Sequence, residues 1–132
     1  MSLIDSTEND GAGPAPIETD DVTIVVATRN RPDRLAETAA HHRAPLIVVD
    51  NASDEPIRLA GADVVRLDSN LGAAARTIGV ERARTPYVAF ADDDSWWAPG
   101  ALAEAAQVLD AHPRLAVLAG RMLVGDDLEE WR

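Results

Sequence analysis

Three consecutive carboxylates, Asp92, Asp93 and Asp94, are the densest cluster of chemically active side chains in the sequence. They follow an apolar run at residues 87–91 and precede Pro99, which opens a predicted helix. Adjacent carboxylates repel one another unless a cation lies among them. A hard divalent ion such as Mg²⁺ or Mn²⁺ takes carboxylate oxygens and keeps coordination positions for substrate phosphates. The triplet is therefore a candidate metal site, although aspartate-rich turns also occur as plain loops.

The types of basic residue, and the absence of cysteine, exclude several kinds of catalytic and binding site. All twelve basic residues are arginine, and there is no lysine and no cysteine. The absence of lysine excludes a P-loop of the GK[ST] kind, a Schiff base and a kinase-type lysine. The absence of cysteine excludes disulfides, zinc–thiolate sites and thiol nucleophiles. Arg29 and Arg31 follow the first predicted strand, and two interpretations stay open: solvated loop charges, or partners of a diphosphate.

Short apolar runs alternate with helical patterns along the chain. Strands are predicted at residues 22–27, 46–49, 63–67, 87–91 and 115–119, and helices at residues 32–43, 71–84 and 98–111. Continuous apolar runs suit strands that are buried on both faces of a parallel sheet. The alternation favours right-handed crossovers between neighbouring strands. The predicted fold class is therefore α/β, with a mostly parallel sheet and helices on both faces.

The polar residues after these strands are expected to share one edge of the sheet. In open α/β sheets, ligands bind outside the carboxyl ends of the strands. The acidic triplet follows the predicted strand at residues 87–91, Arg29 and Arg31 follow the first strand, and Asp50 ends the second. A turn-forming residue at a strand end is also ordinary, so Asp50 alone is a weak signal.

Composition limits the domain organisation and the partners. The chain has 132 residues and a net charge of −11, and residues 1–21 hold six acids and no base. That segment, which also contains glycine and proline, is predicted to be a disordered acidic tail before a single domain at residues 22–132. The acidic balance argues against nucleic acid as a partner. No run of about 18 apolar residues and no signal pattern occur, so we predict no transmembrane segment and a cytoplasmic location.

Four segments carry a resemblance to a known family. They read VVATRNRP at residues 25–32, IVVDNAS at 47–53, NLGAAARTIG at 70–79 and DDD at 92–94. In this order they resemble the N-terminal, nucleotide-sugar-binding half of a family 2 glycosyltransferase of the GT-A fold, which is Rossmann-like. The resemblance covers roughly residues 22–120. Each segment is weak singly, but four in order with plausible spacing are fairly specific.

The resemblance implies a role for each matching position. Thr28 and its loop, with Arg29 and Arg31, would line the nucleotide pocket. Asp50 or Asn51 would hydrogen-bond the base, and Arg76 would lie near the donor. The D-x-D pair would be Asp92 and Asp94, with Asp94 favoured as the direct ligand of Mn²⁺ or Mg²⁺ and Asp92 or Asp93 facing the ribose. The implied reaction is transfer of a sugar from a nucleoside-diphosphate sugar, with inversion, to an acceptor that the sequence does not identify.

The family's acceptor half and catalytic base normally follow well beyond the D-x-D motif, whereas this chain continues for about 38 residues after Asp94. We therefore expect a donor-binding part with no identifiable catalytic base; the alternative is a non-catalytic nucleotide-binding or interaction module. An uncovered apolar face would favour homo-oligomers.

Two other protein classes fit the residues less well than this family does. A phospho-acceptor receiver domain is disfavoured because the chain has no lysine. A nucleotidyltransferase is disfavoured because the first loop has no glycine.

Several other residues have structural interpretations. Trp96 and Trp97 favour anchoring of their loop over stacking on a sugar. His41 and His42 are predicted to lie at the carboxyl end of the first helix. Gly72 and Gly79 are predicted to allow close packing of the second helix rather than to contact phosphate.

Overall fold

The computed structural model describes residues 15–125 and the backbone of residues 129 and 130. The elements in chain order are β1 (Val22–Thr28), α1 (Pro32–Ala39), β2 (Leu46–Asp50), β3 (Asp63–Arg66), α2 (Ala75–Arg82), β4 (Tyr87–Phe90), α3 (Ala101–Ala111), β5 (Leu123–Val124) and β6 (Glu129–Glu130). A 3₁₀ turn at Gly72–Ala74 leads into α2.

The four longer strands form one parallel sheet in the order β3-β2-β1-β4. Val26 pairs with Val48 on one side of β1, and Ile24 pairs with Ala89 on the other. The chain builds outward from β1 to β3 and then returns through α2 to add β4 on the opposite side of β1. The direction of the strand order therefore reverses between β1 and β4, and this reversal opens a crevice at the carboxyl ends of the strands.

Burial on both faces explains the apolar run of β1. Val25 and Val26 point to opposite faces, and both are fully buried. Val26 belongs to a cluster that includes Leu35 of α1 and Leu102 of α3. Val25 belongs to a second cluster, with Ala75 of α2. The predicted fold class, a parallel α/β sheet with helices on both faces, is confirmed.

The first helix ends earlier than predicted. It stops at Ala39 instead of residue 43, because the amides of His41 and His42 bond back to the carbonyls of Thr38 and Ala39 in a tight closing turn. His42 follows the end of this helix, as predicted, but it is 1% exposed and therefore belongs to the interior rather than to the surface of the helix end. Burial, with a smaller contribution from the neighbouring His41, lowers the pKa of His42 to about 4.

The strand predicted at residues 115–119 is wrong. This segment has no regular secondary structure, and Val117 is 76% exposed. A strand needs a neighbour for its backbone N–H and C=O groups. Among the described residues, the outer edge of β4 has no strand paired to it, so apolar character alone does not create one here.

The described part of the predicted tail is attached to the domain. The amide of Glu18 donates to the carbonyl of Arg43 at 2.7 Å. Its carboxylate accepts the amides of Gly100 at 2.6 Å and Leu102 at 3.0 Å, and so caps the start of α3. The predicted disordered tail therefore does not extend to residue 21. Residues 1–14 lie outside the described part of the chain.

Among the described residues, no helix combines the length and the apolar character that crossing a membrane requires.

Candidate functional site

A cleft of about 490 Å³ opens at the carboxyl end of the sheet, where the strand order reverses. Its charged lining consists of three arginines and three aspartates, namely Arg29, Arg31, Arg76, Asp92, Asp93 and Asp94. Uncharged lining comes from Ala27, Thr28, Asn51, Gly72 and Ala73. The structure thus brings together every predicted site residue except Asp50.

Asp93 is the buried member of the acidic triplet. Its two carboxylate oxygens accept hydrogen bonds from Thr28 Oγ1 and from a guanidinium N–H of Arg31, both at 2.8 Å. Its backbone carbonyl accepts a third bond, from Thr38 Oγ1, at 3.0 Å. Asp93 therefore ties the acidic turn to β1 and α1, and its carboxylate is engaged by the protein itself.

Asp92 faces the cleft from the same turn and pairs with an arginine. Its side chain is 64% exposed, and one carboxylate oxygen accepts from a guanidinium N–H of Arg76, which lies in the first turn of α2. The amide of Asp92 donates to Ser95 Oγ at 3.0 Å, which fixes the shape of the turn. An exposed ion pair of this kind contributes about 0–1 kcal/mol, so an incoming ligand can separate it at little cost.

Asp94 is the third carboxylate of the turn. It is exposed and lines the cleft. Among the described residues, no hydrogen-bond donor or cation pairs with its side chain. Of the three aspartates, Asp94 is therefore the one whose oxygens are open to a ligand.

Asp50 lies inside the protein rather than in the cleft. It is fully buried, and its oxygens accept from the amides of Ser53 and Ile57, both at 3.0 Å, and from Arg66 at 2.8 Å. Burial alone would raise the pKa of Asp50, but the hydrogen bonds from Ser53, Ile57 and Arg66 together lower it below the usual range. Of the two residues proposed to contact the base, only Asn51 remains at the cleft.

Asn51 joins the loop after β2 to the start of the 3₁₀ turn. Its side-chain oxygen accepts from the amide of Leu71 at 2.8 Å, and its side-chain nitrogen donates to the carbonyl of Gly72 at 3.1 Å. Gly72 has a φ of +58° and open space where a Cβ would point, so its role is conformational and the packing prediction fails there. For Gly79 the packing prediction is confirmed, because a Cβ would lie 2.3 Å from Val25 Cγ1.

The loops after β1 and β2 are held against each other at the mouth of the cleft. The amide of Asn30 donates to Ser53 Oγ at 2.9 Å, and the amide of Asp54 donates to the side-chain oxygen of Asn30 at 2.8 Å. Asn30 and Ala52 both have positive φ, at 57° and 59°. The guanidinium of Arg29 donates to the carbonyl of Ala52 at 3.2 Å, and this contact holds it at the cleft wall.

The two tryptophans anchor their loop in different ways. The indole N–H of Trp97 donates to the carbonyl of Phe90 at 3.1 Å. Trp96 stacks on His41 with ring centroids 4.3 Å apart. Neither residue lines the cleft, and these contacts agree with the predicted anchoring role.

The carboxylates of the cleft are the candidate ligands for a divalent ion. Within the described residues, no group of three or more His, Asp or Glu side chains is arranged around a common point. What the cleft offers is the open carboxylate of Asp94 and the exposed carboxylate of Asp92. One or two carboxylates plus substrate phosphates is the donor set that Mg²⁺ commonly takes, so the residues fit an ion shared with a bound diphosphate.

The sequence was then compared with known families. The model of "Glycosyl transferase family 2" matches residues 23–132, which is most of the chain. The chain belongs to glycosyltransferase family 2. A comparison of this family 2 sequence with curated proteins finds no match.

Solved structures with the same fold include two glycosyltransferase systems. Residues 1–349 of S. aureus TarS, in complex with UDP-GlcNAc, superpose with a TM-score of 0.58 at 18% identity, covering 78% of this chain and 38% of that one. The mannosyltransferase PcManGT from Pyrobaculum calidifontis, in complex with GDP-Man and Mn²⁺, gives a TM-score of 0.56 at 21% identity, covering 81% of this chain and 39% of that one. The family 2 chain thus spans about two fifths of the length of these relatives.

Three residues of this region were missed by sequence reasoning. Thr38 reaches the acidic turn from α1, Arg66 neutralises Asp50, and Glu18 caps α3. Thr38 carried a weak signal, since it lies on the same helix face as Leu35, three residues earlier, and is a polar residue facing the core. Arg66 and Glu18 carried none, because their partners are distant in sequence.

Proposed function

We propose that the cleft binds the nucleoside diphosphate of a sugar-nucleotide donor together with Mn²⁺ or Mg²⁺, and that the chain is the donor-binding part of a glycosyltransferase. The single observation that supports this most is that an open carboxylate, Asp94, lines the same cleft as Arg29 and Arg76, at the point where the strand order reverses. Family membership and the nucleotide-sugar complexes of the structural relatives support the same proposal.

The charge distribution of the cleft suits a metal-bridged diphosphate. Arg29, Arg31 and Arg76 line it as cations. The charge of Arg31 is offset by the buried Asp93 at 2.8 Å. Arg76, in contrast, pairs with the exposed Asp92, and Arg29 lies 4.0 Å from the exposed Asp54. A ligand can replace such exposed partners at little cost. Guanidinium groups pair well with phosphate oxygens. Asp94, with Asp92 beside it, would repel a bare diphosphate, so the carboxylates and the phosphates would be compatible when a divalent cation offsets their charge. We expect nucleotide binding to depend on the ion for this reason.

Each cleft residue receives a role in this proposal. Asp94 would hold the ion directly, and Asp92 would leave Arg76 to meet the ion or the ribose. Arg76, once released, pairs with a phosphate oxygen. Asn51 and Thr28 border the base and ribose, and the backbone at Gly72 lets the nucleotide approach closely. When bound, the ion stabilises negative charge on the departing diphosphate.

The reaction itself is a further part of the proposal. We infer an inverting displacement of the nucleoside diphosphate by an acceptor, with the catalytic base unassigned. Asp126 and Asp127 lie outside the described residues. Homo-oligomer formation and a cytoplasmic location remain predictions from the sequence.

The test is calorimetric titration of UDP, GDP and dTDP into the chain, with and without Mn²⁺. We expect one nucleotide to bind in the presence of Mn²⁺, and we expect Asp94→Asn to weaken that binding at least tenfold because the open carboxylate is lost. Asp20→Asn is the matched control. Asp20 is exposed and precedes β1, at the end of the strand opposite the cleft, so its variant should bind as the unmodified chain does.

Two results would contradict the proposal. One is the absence of nucleotide binding with either ion. The other is equal loss of binding in Asp94→Asn and Asp20→Asn, which would mean that general surface charge, not the cleft, attracts the ion.

A further inference from the structure

The acidic turn (residues 92–95) is held from inside the protein through its middle residue. The side chain of Asp93 is 8% exposed, against 64% for Asp92. Thr28 and Arg31 each donate to one of its carboxylate oxygens at 2.8 Å. A cation that coordinated Asp93 would have to displace Arg31 and enter a buried position. The contacts therefore place Asp93 in the framework of the cleft.

A second anchor reaches the same residue from α1. Thr38 is 3% exposed, and its Oγ1 lies 3.0 Å from the carbonyl oxygen of Asp93. The hydroxyl also lies 3.2 Å from the carbonyls of Arg34 and Leu35, but these carbonyls accept the amides of the helix itself. Among the described residues, Thr38 is the only donor to the carbonyl of Asp93. Because a buried carbonyl needs a hydrogen-bond partner, we assign the hydroxyl of Thr38 as the donor to the carbonyl oxygen of Asp93.

We propose that Thr38 and Asp93 are positioning residues, which together fix the acidic turn against α1 and β1 so that Asp92 and Asp94 present their carboxylates to the cleft. This inference rests on the proposed function, since the ion and the diphosphate are what the two outer carboxylates are positioned to meet. Thr38 does not line the cleft, and its influence passes entirely through the backbone of Asp93.

The geometry of the turn explains why anchoring the middle residue orients the outer two. The amide of Ser95 donates to the carbonyl of Asp92 at 3.2 Å, and Ser95 Oγ accepts the amide of Asp92 at 3.0 Å. These bonds make the turn a small closed unit. When Asp93 is fixed inside, the unit cannot rotate, and the carboxylates on either side are held at the surface. Without the bond from Thr38, the unit keeps its internal bonds but loses one attachment to the core.

The test removes the hydroxyl of Thr38 and leaves its shape. The variant is Thr38→Val, and the control is Thr23→Val on β1. Thr23 is also 3% exposed, and its Oγ1 lies 2.7 Å from Thr85 Oγ1, so this variant likewise removes a buried, hydrogen-bonded hydroxyl. Two quantities are measured: amide hydrogen exchange at Asp92 and Ser95, and the affinity for Mn²⁺ with the nucleotide. We expect Thr38→Val to speed exchange in the turn at least tenfold while the amides of β1 and β2 stay protected, and to weaken the affinity at least fivefold.

The controls separate positioning from a general loss of stability. Thr23→Val should change neither quantity in the turn, and Thr38→Ser, which keeps the hydroxyl, should restore both. Unchanged exchange in Thr38→Val, or equal weakening of affinity by Thr38→Val and Thr23→Val, would overturn the inference.

Failure of the proposed function gives a different result. In that case the unmodified chain itself binds no nucleotide, whereas the exchange measurement still reports whether Thr38 anchors the turn. Faster exchange with no nucleotide binding by any variant would overturn the assignment of the anchor to donor binding.

Discussion

Asp50 and His42 are both buried ionisable residues, but the side chain of Asp50 is hydrogen-bonded and, within the described part of the chain, that of His42 is not. Asp50 is surrounded by donors, including Arg66 at 2.8 Å, and its pKa is lowered, so it stays charged inside the protein. Neither ring nitrogen of His42 has a hydrogen-bond partner among the described residues. Burial therefore keeps His42 neutral, with a pKa of about 4. The first arrangement favours a charged group, whereas the second disfavours one.

His42 predicts a pH dependence of stability in the weakly acidic range. Between its unfolded pKa near 6.5 and its folded pKa of about 4, the unfolded chain binds more protons, so the free energy of unfolding falls as the pH falls. For this group alone the loss between pH 7.5 and pH 5 is about 2 kcal/mol. Urea unfolding at these two pH values measures it.

Substitution isolates the histidine responsible. We expect His42→Leu to lose about 2 kcal/mol less than the unmodified chain over the same interval. His112→Gln, which removes an exposed histidine, should keep the original dependence. An unchanged pH dependence in His42→Leu would contradict the assignment. Asp50 acts in a lower window, because a carboxyl with a lowered pKa loses its stabilising effect only as the pH falls below about 4.

At the scale of elements, α2 connects the cleft to the core of the sheet. It begins beside the cleft with Arg76 and packs on β1 through Gly79. A Cβ at Gly79 would lie 2.3 Å from Val25 Cγ1 and 3.3 Å from Val49 Cγ2, both in the core. The helix can therefore approach β1 and β2 this closely only because the side chain is absent.

Gly79→Ala is expected to destabilise the fold. Overpacking in a buried contact costs about 1–3 kcal/mol. The better helix propensity of alanine returns only about 1 kcal/mol. A contact as short as 2.3 Å belongs at the upper end of the overpacking range, so the cost exceeds the gain. Thermal unfolding of Gly79→Ala against Thr77→Ala, an exposed position on the same helix, measures the difference. We expect Thr77→Ala to unfold at the original temperature or slightly above. A Gly79→Ala variant as stable as Thr77→Ala would show that the contact yields without cost.

The elements also show what sequence patterns can and cannot predict. The strands at residues 22–28 and 46–50 were predictable because a buried parallel strand requires a continuous apolar run. The run at residues 115–119 is also continuously apolar, but among the described residues it has no strand beside it. Pairing is a property of neighbours distant in sequence, and a local pattern does not contain it. The early end of α1 depends likewise on a closing turn that propensity does not specify.

At the scale of the whole molecule, the parallel topology of the sheet brings the site residues together. Residues from β1, from the loop after β2, from α2 and from the turn after β4 meet because parallel strands end at one edge. The sequence could therefore predict which residues gather there. It could not predict that Asp50 and Asp93 turn inward while Asp92 and Asp94 stay at the surface. The partners of the two inward carboxylates, Arg66 for Asp50 and Thr28 with Arg31 for Asp93, are set by tertiary packing.

The measurement that tests the central claim most directly is an NMR titration of the ¹⁵N-labelled chain with a nucleoside diphosphate and substoichiometric Mn²⁺. Paramagnetic broadening identifies the amides nearest the ion. If the cleft binds the metal–nucleotide pair, broadening should concentrate at residues 28–31, 51, 72–76 and 92–95 and should require the nucleotide. Broadening spread over the acidic surface, or none with any nucleotide, would contradict the account.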